Sequence, residues 1–259
     1  MHSGNFLILP ADPTDPVLEV SRLSKRYPGI GTNALLDLDF KVEKGEIFGL
    51  LGPNGAGKTT TISILSTLMS PSGGWAKVCG VDILKQSAKA RRLISLVPQE
   101  IALYHELTGR ENMEYFGILY GVDKKELNKK ISMVLDLFDI NEFSHRQIGR
   151  CSGGIQRRFN IACGILHDPA LIFLDEPTVG MDVHARNALL EQIRHLSDKG
   201  CTLVYTTHYM EEAQEICSRI LIMDKGMVLA QGRPAELIRE NRPCRNLGDL
   251  FLSLTQKRT

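Results

Sequence analysis

Gly52-Pro53-Asn54-Gly55-Ala56-Gly57-Lys58-Thr59 decides how the rest of the chain is read. It meets the pattern G-x-x-x-x-G-K-[ST] at every fixed position. Glycines let successive backbone N–H groups turn toward one anion at the positive end of a helix dipole, and Lys58 adds a full charge there. Thr59 offers a hydroxyl to Mg2+. The flanks agree, because the apolar run Ile47 to Leu51 predicts a short buried strand entering the loop and Thr60 to Met69 predicts a helix leaving it. A plain glycine-rich turn would also precede a helix, but a match at all four fixed positions is rare by chance at ordinary residue frequencies.

The chain has 259 residues, of which 43% are hydrophobic, enough for one large domain or two small ones without disulfide staples. A net charge of +1 points to no nucleic-acid surface and to no particular partner. Cys79, Cys151, Cys163, Cys201, Cys217 and Cys244 form no C-x-x-C pair, so they read as small core residues and free thiols, as in a reducing cytoplasm. The opening MHSGNFLILPADPTDP lacks a basic start and a long apolar run, and residues 1–16 are expected to form a flexible extension. No apolar run approaches the roughly 20 residues that cross a bilayer.

Val17 to Val20 and the alternating Leu36 to Val42 read as strands of a half-exposed sheet, with Tyr27 on a loop edge before the Pro28-Gly29 turn. On residue type alone, Tyr27 serves equally as packing or as a platform for a base. Trp75 to Cys79 reads as a strand, Gln86 to Leu93 as a short basic helix, and Ile94 to Val97 as a buried strand that Pro98-Gln99 ends. Gln99 there suits a surface turn, or a contact to water or metal. Thr108-x-x-Glu111 and Asp123-x-x-Glu126 resemble capping boxes, and Ile131, Val134, Leu135 and Phe138 share one helical face. The stretch from Glu100 to about Leu166 therefore reads as a helical subdomain set into an α/β core. Near its end, Ser152-Gly153-Gly154 precedes another apolar-periodic segment and reads as a helix N-terminus with exposed N–H groups.

Leu171 to Pro177 is an apolar strand that delivers Asp175 and Glu176 at its C-terminal end, the edge where ligands bind in open α/β sheets. Adjacent strand residues point oppositely, so one carboxylate can serve a metal while the other addresses water. Val179 to Asp182 reads as a turn and Val183 to Ser197 as a helix with the stripe Ala185, Leu189, Ile193 and Leu196. Cys201 to Thr207 is a strand that ends at His208, a residue more often structural than catalytic in such a place. Met210 to Cys217 returns to helix, Ile220 to Met223 and Val228 to Ala230 complete the sheet, and Pro234 to Arg239 is helical.

The ordered set GPNGAGKTT, Gln99, CSGGIQ, LIFLDEP, VGMD and His208 resembles the nucleotide-binding subunit of ATP-binding cassette (ABC) transporters, over about residues 17–240. VPQEIALYHELTGREN, THYMEEA and the terminal NLGDLFLSLT look like the exporter branch that includes daunorubicin-resistance and sodium-export ATPases. The resemblance implies a P-loop NTPase core with an antiparallel β subdomain, an inserted helical subdomain at about 100–166, and a 241–259 tail carrying a short helix.

It also implies roles. Tyr27 stacks on adenine; Gly52, Pro53, Asn54, Gly55, Ala56, Gly57, Lys58, Thr59 and Thr60 wrap the phosphates. Thr59, Gln99 and Asp175 meet Mg2+, Glu176 polarises the attacking water, and His208 contacts the γ-phosphate. Two subunits enclose two ATP head to tail, with Ser152, Gly153 and Gly154 reaching the opposite chain's nucleotide and Asp182 linking the sites. The implied partners are a transmembrane permease and a second ATP-binding subunit, on the cytoplasmic face of a membrane. Cys151 and Ile155 depart from the usual leucine and glutamine of the signature, and Val183 stands where many relatives have proline. A soluble ABC ATPase acting on ribosomes or DNA is the rival use of the same machinery. A small-molecule kinase would share the phosphate loop and have no use for Ser152-Gly153-Gly154.

Overall fold

Along the chain the strands are β1 (Leu18–Arg26), β2 (Asn33–Val42), β3 (Ile47–Leu51), β4 (Gly73–Val78), β5 (Val81–Asp82), β6 (Ile94–Val97), β7 (Leu171–Asp175), β8 (Thr202–Thr207), β9 (Arg219–Asp224) and β10 (Met227–Gly232). The helices are α1 (Lys58–Leu65), α2 (Ser87–Leu93), α3 (Gly109–Leu119), α4 (Lys124–Leu137), α5 (Gly153–Ile165), α6 (Val183–Asp198), α7 (Met210–Ile216), α8 (Pro234–Glu240) and α9 (Leu247–Gln256). The computed structural model describes residues 15–29 and 33–256. The expected flexible extension falls, except for Asp15 and Pro16, outside the described residues.

Two sheets organise these elements: an antiparallel one in the order β2-β1-β4-β5, and a mostly parallel one in the order β10-β9-β3-β8-β7-β6. Register in the second sheet matters most for the site. Leu51 pairs with Thr207 and Asp175 with Thr206, while Val97 pairs with Leu174. The C-terminal ends of β3, β6, β7 and β8 are thereby level, so the residues that follow them share one edge.

Period-2 alternation splits the strand side chains between two cores. Phe48, Leu50, Leu171, Phe173 and Val204 face the antiparallel sheet and α1. Ile47, Leu51, Ile172, Leu174, Leu203 and Tyr205 face α5, α6 and the helices between β6 and β7. At Gly49 a Cβ would lie 2.9 Å from Cys217 Sγ and 2.9 Å from Ile220 Cγ2, so the absence of a side chain lets α7 pack close.

Local chemistry sets several boundaries. Thr108 opens α3 with a full capping box: Glu111 N donates to Thr108 Oγ1 at 3.2 Å, and Thr108 N donates to Glu111 Oε2 at 2.8 Å. The second expected box is only a cap, since Asp123 accepts from Lys125 N at 2.8 Å without a return bond from Glu126. Helix α1 ends at Leu65 and not at Met69. Thr67 adopts φ +65, and the Leu68 and Met69 amides fold back onto Ser63 O, which returns Met69 toward Tyr27. The α6 stripe is buried at Leu189, Ile193 and Leu196, and Leu190 joins it, whereas Ala185, beside Gly154, stays partly exposed. The stretch between β6 and β7 contains helix, turn and loop, with an isolated bridge between Thr108 and Gln147.

Cys151, Cys163, Cys201 and Cys217 are buried, and Cys79 and Cys244 are half-buried. Burial pushes the Cys163 and Cys217 thiols far up and the Cys201 thiol to about 11, where thiolate is scarce at neutral pH. At pH 8, a chromogenic thiol reagent is expected to leave Cys163, Cys201 and Cys217 unmodified in folded protein and to modify all six cysteines in denaturant, as mass mapping of the labelled peptides will read.

Candidate nucleotide site

Helix α1 begins directly at the phosphate-loop motif. Its N-cap is Gly57, at φ +107, with no side-chain cap and no acidic residue in the first turn. An L side chain at that φ is strained, and its Cβ would also lie 2.7 Å from Leu35 Cδ2 and 2.9 Å from Ala34 O. The helix thus presents its N-terminal amides with no side chain competing for them, the arrangement that favours an anion.

Lys58 is the first residue of α1 and is only 5% exposed. Its Nζ donates to Gly52 O at 2.8 Å and Pro53 O at 3.2 Å, and pairs with Glu176 Oε1 at 3.1 Å. The ammonium's three hydrogens are therefore shared between the loop's own carbonyls and a carboxylate at the end of β7. Glu176 Oε2 lies 3.1 Å from His208 Nδ1. A carboxylate oxygen accepts, so Nδ1 donates and Nε2 is left to face away from the pair. Lys58, Glu176 and His208 thus form one continuous chain of polar contacts across the ends of β3, β7 and β8.

Asp175 and Glu176 diverge for a reason beyond strand alternation. Glu176 adopts φ +44, an uncommon backbone state for a residue with a side chain, which turns it out of the strand line. Thr206 in β8 secures the pair, since its Oγ1 donates to Asp175 Oδ1 at 2.6 Å and accepts from Glu176 N at 2.9 Å. The Thr59 side chain is exposed beside this edge. One hydroxyl and one carboxylate are hard oxygen donors that suit Mg2+, which keeps its other positions for water and substrate phosphates. Among the described residues no cluster of three or more His, Cys, Asp or Glu offers an all-protein metal cage.

Tyr27 is half-buried beside α1, its Oη 3.3 Å from Thr60 Oγ1 and 3.4 Å from Met69 Sδ. Lys25 Nζ stands 5.5 Å from the ring centroid. Gln99 is exposed in the bend after β6. Its segment is held by α5: Arg157 Nη1 donates to Pro98 O at 3.2 Å, and Asn160 Oδ1 accepts from Ala102 N at 3.2 Å. Neither residue was singled out from sequence. The available signal is a charged and an amide side chain within a stretch of α5 that is otherwise apolar, where Phe159 and Ile161 are fully buried.

Ser152 caps α5, accepting from Ile155 N at 3.4 Å, and Gly153 has open space around it. Gly154 faces Met181 and Ala185. Below them, Gln156 Nε2 donates to Ile148 O and Cys151 O, both at 3.0 Å, and Cys151 is buried while Ile155 packs on the core. The two departures from the usual signature are accommodated in this underside. Asp182 caps α6 through His184 N at 2.9 Å and Ala185 N at 3.0 Å, and the Ala185 amide first, then that of His184, holds its carboxyl below the usual carboxylate range. Ser152, Gly153 and Gly154 share no hydrogen bond or ion pair with Gly52 to Thr60 among the described residues.

Comparison with known proteins agrees with this arrangement. A family model described as "ABC transporter" matches residues 35–179. The linearmycin resistance ATP-binding protein LnrL of Bacillus subtilis (strain 168) is 42% identical over 92% of this chain and 75% of its own length. The Nod factor export ATP-binding protein I of Sinorhizobium fredii (strain NBRC 101917 / NGR234) is 38% identical over 94% of this chain and 70% of its own. A solved structure of the ATP-binding cassette MJ0796, dimeric in a post-hydrolysis state with ADP and Pi, superposes with a TM-score of 0.74 at 25% identity, covering 83% of this chain and 98% of that one. With the phosphate loop, the carboxylate pair and His208 on one sheet edge, the chain belongs to the ABC transporter family, as an ATP-binding and ATP-hydrolysing subunit.

Proposed function

We propose that two copies of this chain, or this chain and a related one, close head to tail on two ATP molecules and drive an export permease from the cytoplasmic face of a membrane. The observation that carries the reading is the Lys58-Glu176-His208 chain at the mouth of α1, set apart from a second helix N-terminus, capped by Ser152 and with open space at Gly153. Gly52 to Thr60 bind the triphosphate through backbone N–H groups and Lys58, and Tyr27 supports the base. Glu176 orients the attacking water, while His208 Nε2 addresses the γ-phosphate, so charge is stabilised by groups already in place. Thr59 and Asp175, with Gln99 nearby, would hold Mg2+, which when bound neutralises phosphate charge. No covalent intermediate is involved.

Ser152, Gly153 and Gly154 complete the opposite chain's site, and Asp182 at the start of α6 links the two. Loss of the γ-phosphate removes the group shared by both chains, and the clamp opens. Behind Gln99, the side chains of Tyr104, Tyr115, Ile118, Leu119 and Tyr120 are exposed, Leu119 at 62%, with the Tyr104 and Tyr115 rings 4.9 Å apart. An exposed apolar patch on that scale suits a protein partner. No helix among the described residues is long and apolar enough to cross a membrane, and in this reading a separate permease supplies the transport path. Export follows the relatives named for linearmycin resistance and Nod factor export.

The test uses Gly153→Asp. Nothing lies within 4 Å of a Cβ built there, and an acidic residue at a helix N-terminus is favourable, so the variant is expected to fold normally. ATP binding to the chain's own phosphate loop should stay within about 3-fold, while turnover falls about 100-fold as a carboxylate meets the opposite nucleotide. Equilibrium binding of a fluorescent ATP analogue and steady-state phosphate release read the two effects. Normal turnover, or a parallel loss of binding, overturns the two-chain site.

A further inference from the structure

Behind Glu176 and His208 lies another carboxylate, Glu212 in α7, which is 4% exposed. Its Oε2 accepts from three hydroxyls: Tyr205 Oη at 2.7 Å, Thr178 Oγ1 at 2.9 Å and Thr207 Oγ1 at 3.2 Å. Each hydroxyl has one hydrogen and directs it to that oxygen, so the 3.4 Å contact between Thr178 and Tyr205 is geometric proximity only. The donors come from places that matter. Thr178 lies two residues past Glu176, in a turn closed by Val179 N donating to Glu176 O at 3.3 Å. Thr207 adjoins His208, and its Oγ1 also accepts from Tyr209 N at 2.9 Å, so both flanks of His208 are held. Tyr205 is fully buried in β8, between the two turns.

The other oxygen, Oε1, has no hydrogen-bond partner, and Arg186 Nε stands 3.9 Å away. A buried carboxylate with one oxygen so poorly served is costly, and a leucine would fill the same volume without that cost. Packing does not explain the residue, whereas gathering three hydroxyls does.

We infer that Glu212 is a positioning residue for hydrolysis, which fixes the turn carrying Glu176 against the turn carrying His208 by collecting Thr178, Tyr205 and Thr207 on one oxygen. The inference rests on the roles proposed above for Glu176 and His208. Misplacing reacting groups by about 1 Å can cost on the order of 100-fold in rate, while substrate binding at the phosphate loop depends on other atoms.

The experiment measures kcat and KM for ATP with the full chain, alongside thermal melting. Glu212→Leu, which leaves three hydroxyls without an acceptor, is expected to lower kcat about 30-fold with KM within about 2-fold. Glu212→Gln keeps an accepting oxygen and is expected to recover kcat to within about 5-fold of the parent. Tyr205→Phe removes one donor and is expected to lower kcat about 3-fold at nearly unchanged Tm. A folded Leu variant with parental kcat, a Gln variant no better than Leu, or a rise in KM matching the fall in kcat overturns the assignment. Should the Leu variant fail to fold, Tyr205→Phe and Thr207→Val decide, and parental kcat in both overturns it. Glu176→Gln in the same assay separates the two readings, since its normal turnover would refute the underlying roles and not the Glu212 network alone.

Discussion

Replacing Glu176 by glutamine is expected to lower ATP turnover about 100- to 1000-fold while leaving ATP bound, because the change removes a water-orienting carboxylate and little else. The shape is conserved, and glutamine tolerates φ +44 about as well as glutamate does. What changes is the electrostatic pattern between two neighbours. One carboxylate oxygen faces Lys58 Nζ at 3.1 Å and the other faces His208 Nδ1 at 3.1 Å, and both neighbours donate. An amide supplies one acceptor and one donor, so it can satisfy Lys58 or His208 and not both without a change of imidazole tautomer. Removing a negative charge beside the incoming γ-phosphate also lowers repulsion, so the ATP-bound two-chain state should persist longer. Gel filtration with MgATP is expected to show a stable dimer of the variant where the parent chain turns over and separates. Parental phosphate release by the variant would remove Glu176 from the chemistry.

Short-range patterns made the architecture readable to different depths. Ile47 to Leu51 and Ile94 to Val97 are strands over the residues that their apolar runs mark, because a doubly buried strand declares both of its ends. The apolar pattern carries helix α1 four residues past its observed end at Leu65, since Leu68 and Met69 continue the pattern while Thr67 breaks the helix through a backbone turn that residue type does not announce. Lys58 after β3 and Asp175, Glu176 and His208 at the ends of β7 and β8 could be picked out one at a time, but their adjacency is a consequence of the order β3-β8-β7, which sets β3 beside strands more than a hundred residues further along the chain. Thr206, Arg157 and Glu212 escaped for the same reason. A threonine in a strand or a glutamate in a helix is ordinary by composition, and each gains meaning from a partner that the fold brings from a distant segment: Asp175 for Thr206, Pro98 for Arg157 and Thr178 for Glu212.

Lys58→Ala is the change expected to do most damage, since it acts on substrate affinity, on turnover and on the resting site together. A charge-assisted hydrogen bond in a buried setting contributes about 1.5 to 3 kcal/mol, so ATP affinity should fall roughly 10- to 100-fold. Turnover should fall further, by about 1000-fold, because the ammonium also meets charge that grows on the phosphate in the transition state. The resting structure suffers as well. Gly52 O and Pro53 O lose a donor at 2.8 and 3.2 Å, and Glu176, 8% exposed, loses its cationic partner. Lys58→Arg tests whether charge alone suffices. The lysine side chain is 4% exposed and its three donors reach three acceptors on different sides, whereas a planar guanidinium directs its donors into one plane and needs more room. Arginine should therefore recover less than about a tenth of parental turnover. Calorimetric titration with ATP and steady-state phosphate release measure both variants. If alanine binds ATP as tightly as lysine and turns it over as fast, the loop at Gly52 to Thr59 is not the phosphate site.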